Sequence, residues 1–366
     1  MFTEKHLPES LSGEELDVFL EYGWYRMGQS VFTCHFLFFE DNLYSPIWLR
    51  LPLEGYRFRK SLRKIKRRVE ERFEVKVRPA IIDEEKEMLF QRFKKHFKGK
   101  LYGSVKEALF DGKDHNVFNT WEVAVFDQDR LIAFSFFDLG HLAIASIKAV
   151  YAHEYSNYSL GIYTMLREIQ FGWEKGFDYF YPGYFVPGYS RFDYKLRIGT
   201  PEQVEFYDLK TSTWRPLSTF DSEKIPVRVL NLKLFRVGFT LSGLHIPFQM
   251  LYYPAFESSQ FGTAEEQFLQ SPLFLHIFSD YYLNPRFVLY YDLRKEIYVF
   301  SHSLRKEVLE KYLEEGAGLT EADRKLIAFM MENTVLARDV TETPIVNMVK
   351  RVSNLLKTIR QRRKSF

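Results

Sequence analysis

Cysteine is almost absent from this chain: Cys34 stands alone in 366 residues. A single thiol can form neither an intramolecular disulfide nor the multi-thiolate cage of a structural zinc site, and such sparing use of cysteine suits a reducing compartment. A cytoplasmic protein is therefore expected. Long apolar runs are missing as well. A spanning helix needs roughly 18 to 20 uninterrupted apolar residues, and the most apolar stretch, GFTLSGLHIPFQMLYYPAF, is broken by His245, Pro247 and Pro254. No membrane partner is expected. The opening MFTEKHLPESLSGEELD has no basic start, apolar core and small-residue cleavage site, so no signal peptide is expected either. Walker loops, nucleophile elbows and dinucleotide fingerprints do not occur. No His/Cys/Asp cluster has metal-ligand spacing, and Cys34 and His35, adjacent on a strand, would point to opposite faces. Neither a metal nor a bound cofactor is expected.

What is present is the composition of a globular chain: 46% hydrophobic, 27% charged and 17% aromatic residues. Such a chain can bury a sizeable core, and its length suits two or three domains. The net charge of +3 is small, but it is unevenly spread. From Arg57 to Arg72 the sequence reads RFRKSLRKIKRRVEER, nine basic residues against Glu70 and Glu71. A second basic run, Arg360 to Lys364, closes the chain. A charge block can be simply a solvated face; it can also contact phosphates, gaining affinity by displacing counterions from a polyanion.

Residues 20–55 read as short strands with Gly23, Gly28 and Pro46 as punctuation. DEEKEMLFQRFKKHF, residues 83–97, predicts a helix with acids first and bases last. WEVAVFDQDRLIAFSFFDLG predicts a hairpin turning at Asp127 to Asp129, followed by the strand AIASIKAVY. A helix is expected from about Leu160 to Lys175, with Ile162, Met165, Leu166, Ile169 and Trp173 in one apolar stripe and Gly176 ending it. FDYFYPGYF is the next strand. Antiparallel strands, then a strand feeding a helix through a glycine turn, then a strand, is the order of a GNAT acyltransferase core. The expected fold is α+β: residues 1–80 a smaller β-rich portion with the basic element, 81–217 a GNAT-like transferase domain, and 218–366 an extension. Within that extension a mixed aromatic stretch reaches about 300, and helices are expected near 303–315, 320–337 and 344–363.

The segment YAHEYSNYSLGIYTMLREI, Tyr151 to Ile169, followed by YFYPGYF, Tyr179 to Phe185, and RFDYK, Arg191 to Lys195, resembles the C-terminal domain of the aminoacyl-tRNA-protein transferases. These are the arginyl-transferases and the bacterial leucyl/arginyl-transferases. Their pattern is a strand ending in an aromatic and acidic turn, a Ser-Leu-Gly-x-Tyr turn with Leu-x-Glu-Ile on the following helix, a Tyr-x-Tyr-x-Gly-Tyr strand and a Met-x-Tyr-Lys element. YGWYRMGQSVF, Tyr22 to Phe32, and LRLPLEGYRFRKSLRKIKRR, Leu49 to Arg68, extend the resemblance over roughly residues 20–215. Two departures stand out. Only Cys34 remains where the family carries a cysteine cluster, so no metal or iron-sulfur function of that cluster is expected. Ala152 and Glu154 stand where the family tends to have two aspartates.

The resemblance implies transfer of Arg or Leu from aminoacyl-tRNA, the co-substrate, to the N-terminal α-amine of a protein or peptide, as in N-degron tagging. That reaction is aminolysis of an activated ester. It needs two reactants held together, a neutral amine and a stabilised oxyanion. An α-amine with a pKa of about 8 asks only for a modest base. Glu154, at a strand end beside the glycine turn, is the candidate, the plainer reading being a surface turn residue. Ser159 and Gly161 open a helix whose N-terminus favours an anion, or Ser159 is simply its cap. Tyr163 stands where an acyl-CoA-binding loop needs Gly or Ala, and a large side chain there would obstruct a pyrophosphate. Tyr181, Tyr184 and Tyr194 would line the cleft, stacking the terminal adenine or donating to the oxyanion, unless they are core. From the family match, Arg191 and Lys195 would pair with a tRNA phosphate or an acidic acceptor side chain. Arg57, Arg59, Lys60, Arg63, Lys64, Arg67 and Arg68 would form the tRNA surface. The rivals are an acyl-CoA-dependent GNAT N-acyltransferase and a non-catalytic tRNA- or protein-binding relative.

Overall fold

The computed structural model describes residues 3–40, 42–97, 99, 101–253, 271–278, 287–303 and 333–364. Through the first half the chain order is β1 (Thr3–His6), α1 (Gly13–Glu21), β2 (Tyr25–Met27), β3 (Ser30–Cys34), β4 (Leu37–Phe39), β5 (Asn42–Tyr44), β6 (Ile47–Pro52), α2 (Lys60–Glu70), β7 (Glu74–Pro79), α3 (Glu84–His96), α4 (Val105–Phe110), β8 (Thr120–Asp127), β9 (Arg130–Leu139) and β10 (Ala143–Tyr151). There follow α5 (Leu160–Lys175), β11 (Tyr179–Phe185), β12 (Glu205–Asp208), β13 (Thr213–Pro216), α6 (Pro226–Gly243), β14 (Phe248–Tyr252), β15 (Leu273–Ile277), β16 (Phe287–Asp292), β17 (Ile297–Ser303), β18 (Asn333–Asp339) and α7 (Glu342–Lys364).

Residues 5–33 and 46–220 form one compact unit; residues 1–4, 34–45 and 221–366 form the other. The first is built on an eight-stranded sheet in the order β13-β12-β6-β11-β10-β9-β8-β7. Strands β6 and β7, from the stretch expected as an N-terminal portion, therefore share a sheet with residues 81–217. The hairpin β8–β9 turns where expected, Asp127 pairing with Arg130. Among the described residues of this sheet, only β10 and β11 pair in parallel, joined by the crossover helix α5.

Both faces of this sheet are covered, which is why β9 reads as a nearly unbroken apolar run. Val123 and Val125 pack with Leu62 and Val69 of α2 and with Leu160, Leu166 and Ile169 of α5. Ala124, Phe134 and Phe136 pack instead with Leu89 and Phe90 of α3 and Leu109 of α4. Each such large apolar side chain removed from water stabilises the fold by about 1.5–3 kcal/mol. Helix α3 carries the expected charge order and is capped by Asp83, whose side chain accepts from the Lys86 N–H. Helix α5 ends at Gly176 in the left-handed conformation, as expected. Its buried face is rotated from the stripe read in the sequence. Leu160 and Tyr163 are fully buried, whereas Trp173 is 39% exposed.

The second unit carries a five-stranded antiparallel meander, β14 to β18 in order. Leu230, Leu234, Val237 and Leu241, at helical spacing on α6, and Ile345, Val346 and Val349 of α7 cover it. The hairpin β4–β5 also belongs to this unit. The extension is thus not simply helical from 303. Residues 304–332, which take in the helix expected at 303–315 apart from Ser303, the last residue of β17, and most of the one at 320–337, lie outside the described residues. Residues 333–337, expected to end that second helix, are strand β18, paired antiparallel with β17. The β-branched pair Thr334-Val335 and the alternation that follows suit an extended chain once β17 offers a hydrogen-bonding edge. The helix expected at 344–363 is present as α7. Among the described residues no helix is long and apolar enough to cross a membrane, and no cluster of metal-ligating side chains occurs.

Candidate active site

The parallel pairing of β10 and β11 covers only Ala143–Ala145 against Tyr179–Tyr181. Immediately beyond, β10 bulges between Ser146 and Lys148 against β9. β11 has its own irregularity against β6 between Phe180 and Gly183, at Pro182, which has no N–H for a ladder. The two strands stop pairing at their carboxyl ends, in mid-sheet, and a cavity of about 30 Å³ opens there. That space suits one or two waters, or an amine, and not a nucleoside. Its wall is β10 from Ser146 to Ala149, Pro182 of β11, and Tyr194 and Lys195 of the short 3-10 turn Ser190–Ile198. Helix α5 supplies Gly161, Thr164, Met165 and Glu168, whose spacing places them on one face.

Glu168 is fully buried. Its Oε1 accepts a hydrogen bond from Ser135 Oγ at 2.5 Å; its Oε2 is buried and makes no protein hydrogen bond of normal geometry, although the Ser146 hydroxyl also acts on the carboxyl. Burial pushes its pKa up to about 8, against the pull of the Ser135 and Ser146 hydroxyls. Two lysines share the cavity. Burial lowers Lys195 to about 7 and Lys148 to about 8. The Lys195 ammonium lies 5.1 Å from the Tyr184 ring centre and 5.4 Å from that of Phe192; Lys148 lies 5.1 Å from Phe90 and 5.5 Å from Tyr102. Aromatic faces thus replace carboxylates as the immediate neighbours of both cations. Tyr194 is 37% exposed, and burial, then nearby Glu168 and Tyr151, push its hydroxyl up to about 12.

Gly183 makes room for Lys195. Its φ is +89°, and a Cβ there would lie 2.8 Å from Lys195 Nζ. Gly183→Ala is expected to cost about 1–3 kcal/mol of stability from backbone strain alone, read by denaturant unfolding. An unchanged midpoint and slope would show that β11 accommodates a side chain there.

Of the residues singled out in the sequence, Gly161, Tyr194 and Lys195 meet at the cavity, and Tyr184 sits behind Lys195 while packing edge-on to Trp48. Others do not. Glu154 lies on the surface 3-10 turn His153–Tyr158, paired with Arg130, its carboxyl held below the usual range by its own backbone N–H and then by Arg130. Tyr163 is turned into the core, its hydroxyl 3.3 Å from Glu70, so it obstructs nothing at the helix start. Tyr181 is buried beside Tyr25 and Trp214, away from the cavity. Ser159 adopts the left-handed conformation and its side chain caps nothing. Arg191 lies over Phe97 and Tyr189. Glu168 entered the sequence reading only as the glutamate of the Leu-x-Glu-Ile element, and Lys148 only within the strand AIASIKAVY; neither was expected at the site. The available signal was a carboxylate one turn beyond Thr164 on an otherwise inward face, and a lysine inside an apolar strand.

On α2, Arg63, Lys64, Arg67 and Arg68 are exposed, as are Arg57, Arg59 and Lys60 leading into it. Arg57 stacks over Trp173, and Arg59 donates to the Arg197 carbonyl at 2.5 Å. Arg68 and Arg72 lie over the Tyr158 ring, just before α5, and Arg72 also donates to its hydroxyl at 2.6 Å. The basic helix and the helix that floors the cavity are thus packed together.

The cavity at the ends of two parallel strands thus belongs to a mixed α/β domain, and the class to which the comparisons point is aminoacyltransferase. Residues 85–205 match the family described as arginine-tRNA-protein transferase, C terminus, so the resemblance carried by the Tyr151–Lys195 motifs is met over the same stretch. An aspartate/glutamate leucyltransferase of Leptospira interrogans is 27% identical over 225 residues, 59% of this chain and 83% of the relative. One from Helicobacter hepaticus is 25% identical over 193 residues, 50% of this chain and 76% of the relative. Among solved structures, the C-terminal domain of a lysylphosphatidylglycerol synthetase from Agrobacterium fabrum aligns with a TM-score of 0.32 at 12% identity, over 38% of this chain and 46% of that one.

Proposed function

We propose that this chain transfers an amino acid from aminoacyl-tRNA to the N-terminal α-amine of a protein, and that aminolysis takes place at the mouth of the β10–β11 cavity. The observation that carries this reading is a coincidence of place: the family match over 85–205 encloses every residue that walls the cavity. The domain is read as a GNAT-like core, on its splayed parallel strands and crossover helix. The cavity admits an amine and excludes a nucleoside, so the terminal adenosine would lie outside, near Tyr194 and Tyr184, with the tRNA body on the basic face of α2. Tyr194, on the cavity wall, would donate to the oxyanion. Lys195 and Lys148, dry enough to titrate near neutrality, supply positive charge toward the oxyanion or an acidic acceptor side chain.

Because the curated relatives are leucyltransferases named for aspartate and glutamate, leucyl-tRNA and a peptide beginning with Asp form the first pair to test, with arginyl-tRNA beside it. Labelled amino acid is expected on the peptide, dependent on charged tRNA. Acetylation of the same peptide from acetyl-CoA without tRNA would instead establish an acyl-CoA-dependent acyltransferase. In the same assay Glu154→Gln is expected to stay within about threefold of wild type, since its carboxylate is surface-paired with Arg130. A loss of a hundredfold would return Glu154 to the reaction centre.

A further inference from the structure

The transfer reading leaves open what receives the acceptor's amine, which arrives at neutral pH mainly as an ammonium ion and cannot attack until it loses a proton. We propose that Glu168 is that receptor: it seats the α-ammonium against its second carboxyl oxygen and takes the proton that frees the nitrogen for attack. The inference rests on the transfer reading above and adds a residue and a step to it.

Four observations converge on Glu168. Among the described residues, Glu168 is the only carboxyl group on the cavity wall. One of its oxygens is engaged by Ser135 of β9, which fixes the side chain; the other is buried with no protein hydrogen bond of normal geometry, the Ser146 hydroxyl being the further group that acts on the carboxyl. A buried carboxyl oxygen can accept a further N–H, and the adjoining space has the volume of an amine. Among the described residues the other titratable groups on the wall, Lys148, Tyr194 and Lys195, are lysines or a tyrosine, so Glu168 alone there can become the anion that an ammonium calls for. The raised pKa of the empty site, about 8, lies beside that of an α-amine, so the proton passes between near-equals. Once the ammonium is seated, its charge draws the carboxyl down again, and the carboxylate is the form that meets it.

The proton moves from the ammonium nitrogen to Glu168 Oε2, leaving a neutral amine and a carboxylic acid. The nitrogen lone pair then bonds to the ester carbonyl carbon as the carbonyl π pair moves onto oxygen. Collapse of the tetrahedral adduct breaks the bond from carbon to the ribose oxygen. That oxygen leaves with the electron pair and takes a second proton from the attacking nitrogen. The amide and the free ribose hydroxyl are the products, and Glu168 returns its proton to solvent.

The test is single-turnover transfer from charged tRNA to saturating Asp-peptide between pH 6 and 9.5, with tRNA affinity measured in parallel. Wild type is expected to level off from near pH 7. Glu168→Gln is expected to be about 100-fold slower at pH 6.5 and within about fivefold at pH 9.5, where the amine is neutral unaided, with tRNA affinity unchanged. An undiminished rate, or the same fractional loss at every pH, overturns the inference, since a merely structural role would not track the amine's titration. Should Glu168→Gln fold poorly, Ser135→Ala serves: loss of the hydroxyl donor raises the carboxyl's pKa and should move the rising limb to higher pH, and an unmoved limb overturns the proposal. Wild type that transfers nothing from any charged tRNA overturns the reading of the whole site; an active wild type with an indifferent Glu168→Gln overturns this step alone.

Discussion

Replacing Arg63, Lys64, Arg67 and Arg68 together with glutamate is expected to weaken binding of charged tRNA by about 10²- to 10³-fold at moderate salt, and to flatten the slope of log affinity against log salt by about 3. All four side chains are exposed on α2, while Leu62 and Val69 anchor that helix to the core and are untouched. The local acids are too few to neutralise the helix. Lys66 is paired with Glu70 at 2.6 Å and Arg67 reaches Glu71 at 3.6 Å, and exposed pairs of this kind contribute little. The surplus is available to phosphates, and each contact made releases counterions, so the salt slope counts contacts in a way affinity alone does not. Filter binding or fluorescence anisotropy across a salt series, with a melting curve to check folding, decides the matter. Equal affinity and slope in variant and wild type would mean that α2 is a solvated face.

The second large effect is on stability, and its sign differs between the two kinds of cavity group. The folded-state pKa of Glu168, about 8, lies above its ordinary 4.5. Between those values the folded chain holds a proton that the unfolded chain has lost. Its contribution is fully present below pH 4.5 and is lost as pH rises through 8, on the order of 5 kcal/mol in all. Lys195 and Lys148 run the other way. Their folded values, about 7 and 8, lie below the ordinary 10.5, so the unfolded chain holds the extra proton and stability recovers as pH rises from there toward 10.5. Wild type is therefore expected to be least stable near pH 7 to 8. Glu168→Gln should lose the descending limb, so its stability relative to wild type increases steadily from pH 5 to 8.5. Denaturant melts at fixed ionic strength measure this, and two curves that stay parallel would show that the carboxyl titrates normally. Destabilisation at working pH is what a buried, under-bonded catalytic group costs a fold.

Helix α3, the β8–β9 hairpin, α5 with its glycine stop and β11 were all legible in the sequence, because each is announced by residues close together in the chain. Asp83 caps α3, Asp127 to Asp129 supply the turn chemistry, and Gly176 takes a left-handed conformation that other residues adopt reluctantly. Local signals failed where a partner strand or helix decided the outcome. Residues 333–337 are extended because β17 pairs with them. Tyr163 faces the core because α2 packs on that side of α5. Glu154 sits where the motif suggested, at a strand end beside the turn, yet Arg130, twenty-four positions earlier in the chain, holds it at the surface.

The residue pattern from Tyr151 to Lys195 was enough to point to a family, and the family match covers that stretch. Composition alone located the basic run, and the structure makes it helix α2. The cavity, however, exists only because β10 bulges at Ser146–Lys148 and β11 breaks step at Pro182, two irregularities that matter together once a third element, α5, floors the gap between them. Glu168 and Lys148 acquire their chemistry from that arrangement: a pKa is set by what surrounds a group in space, by lost water and missing partners, and adjacency along a chain does not record it.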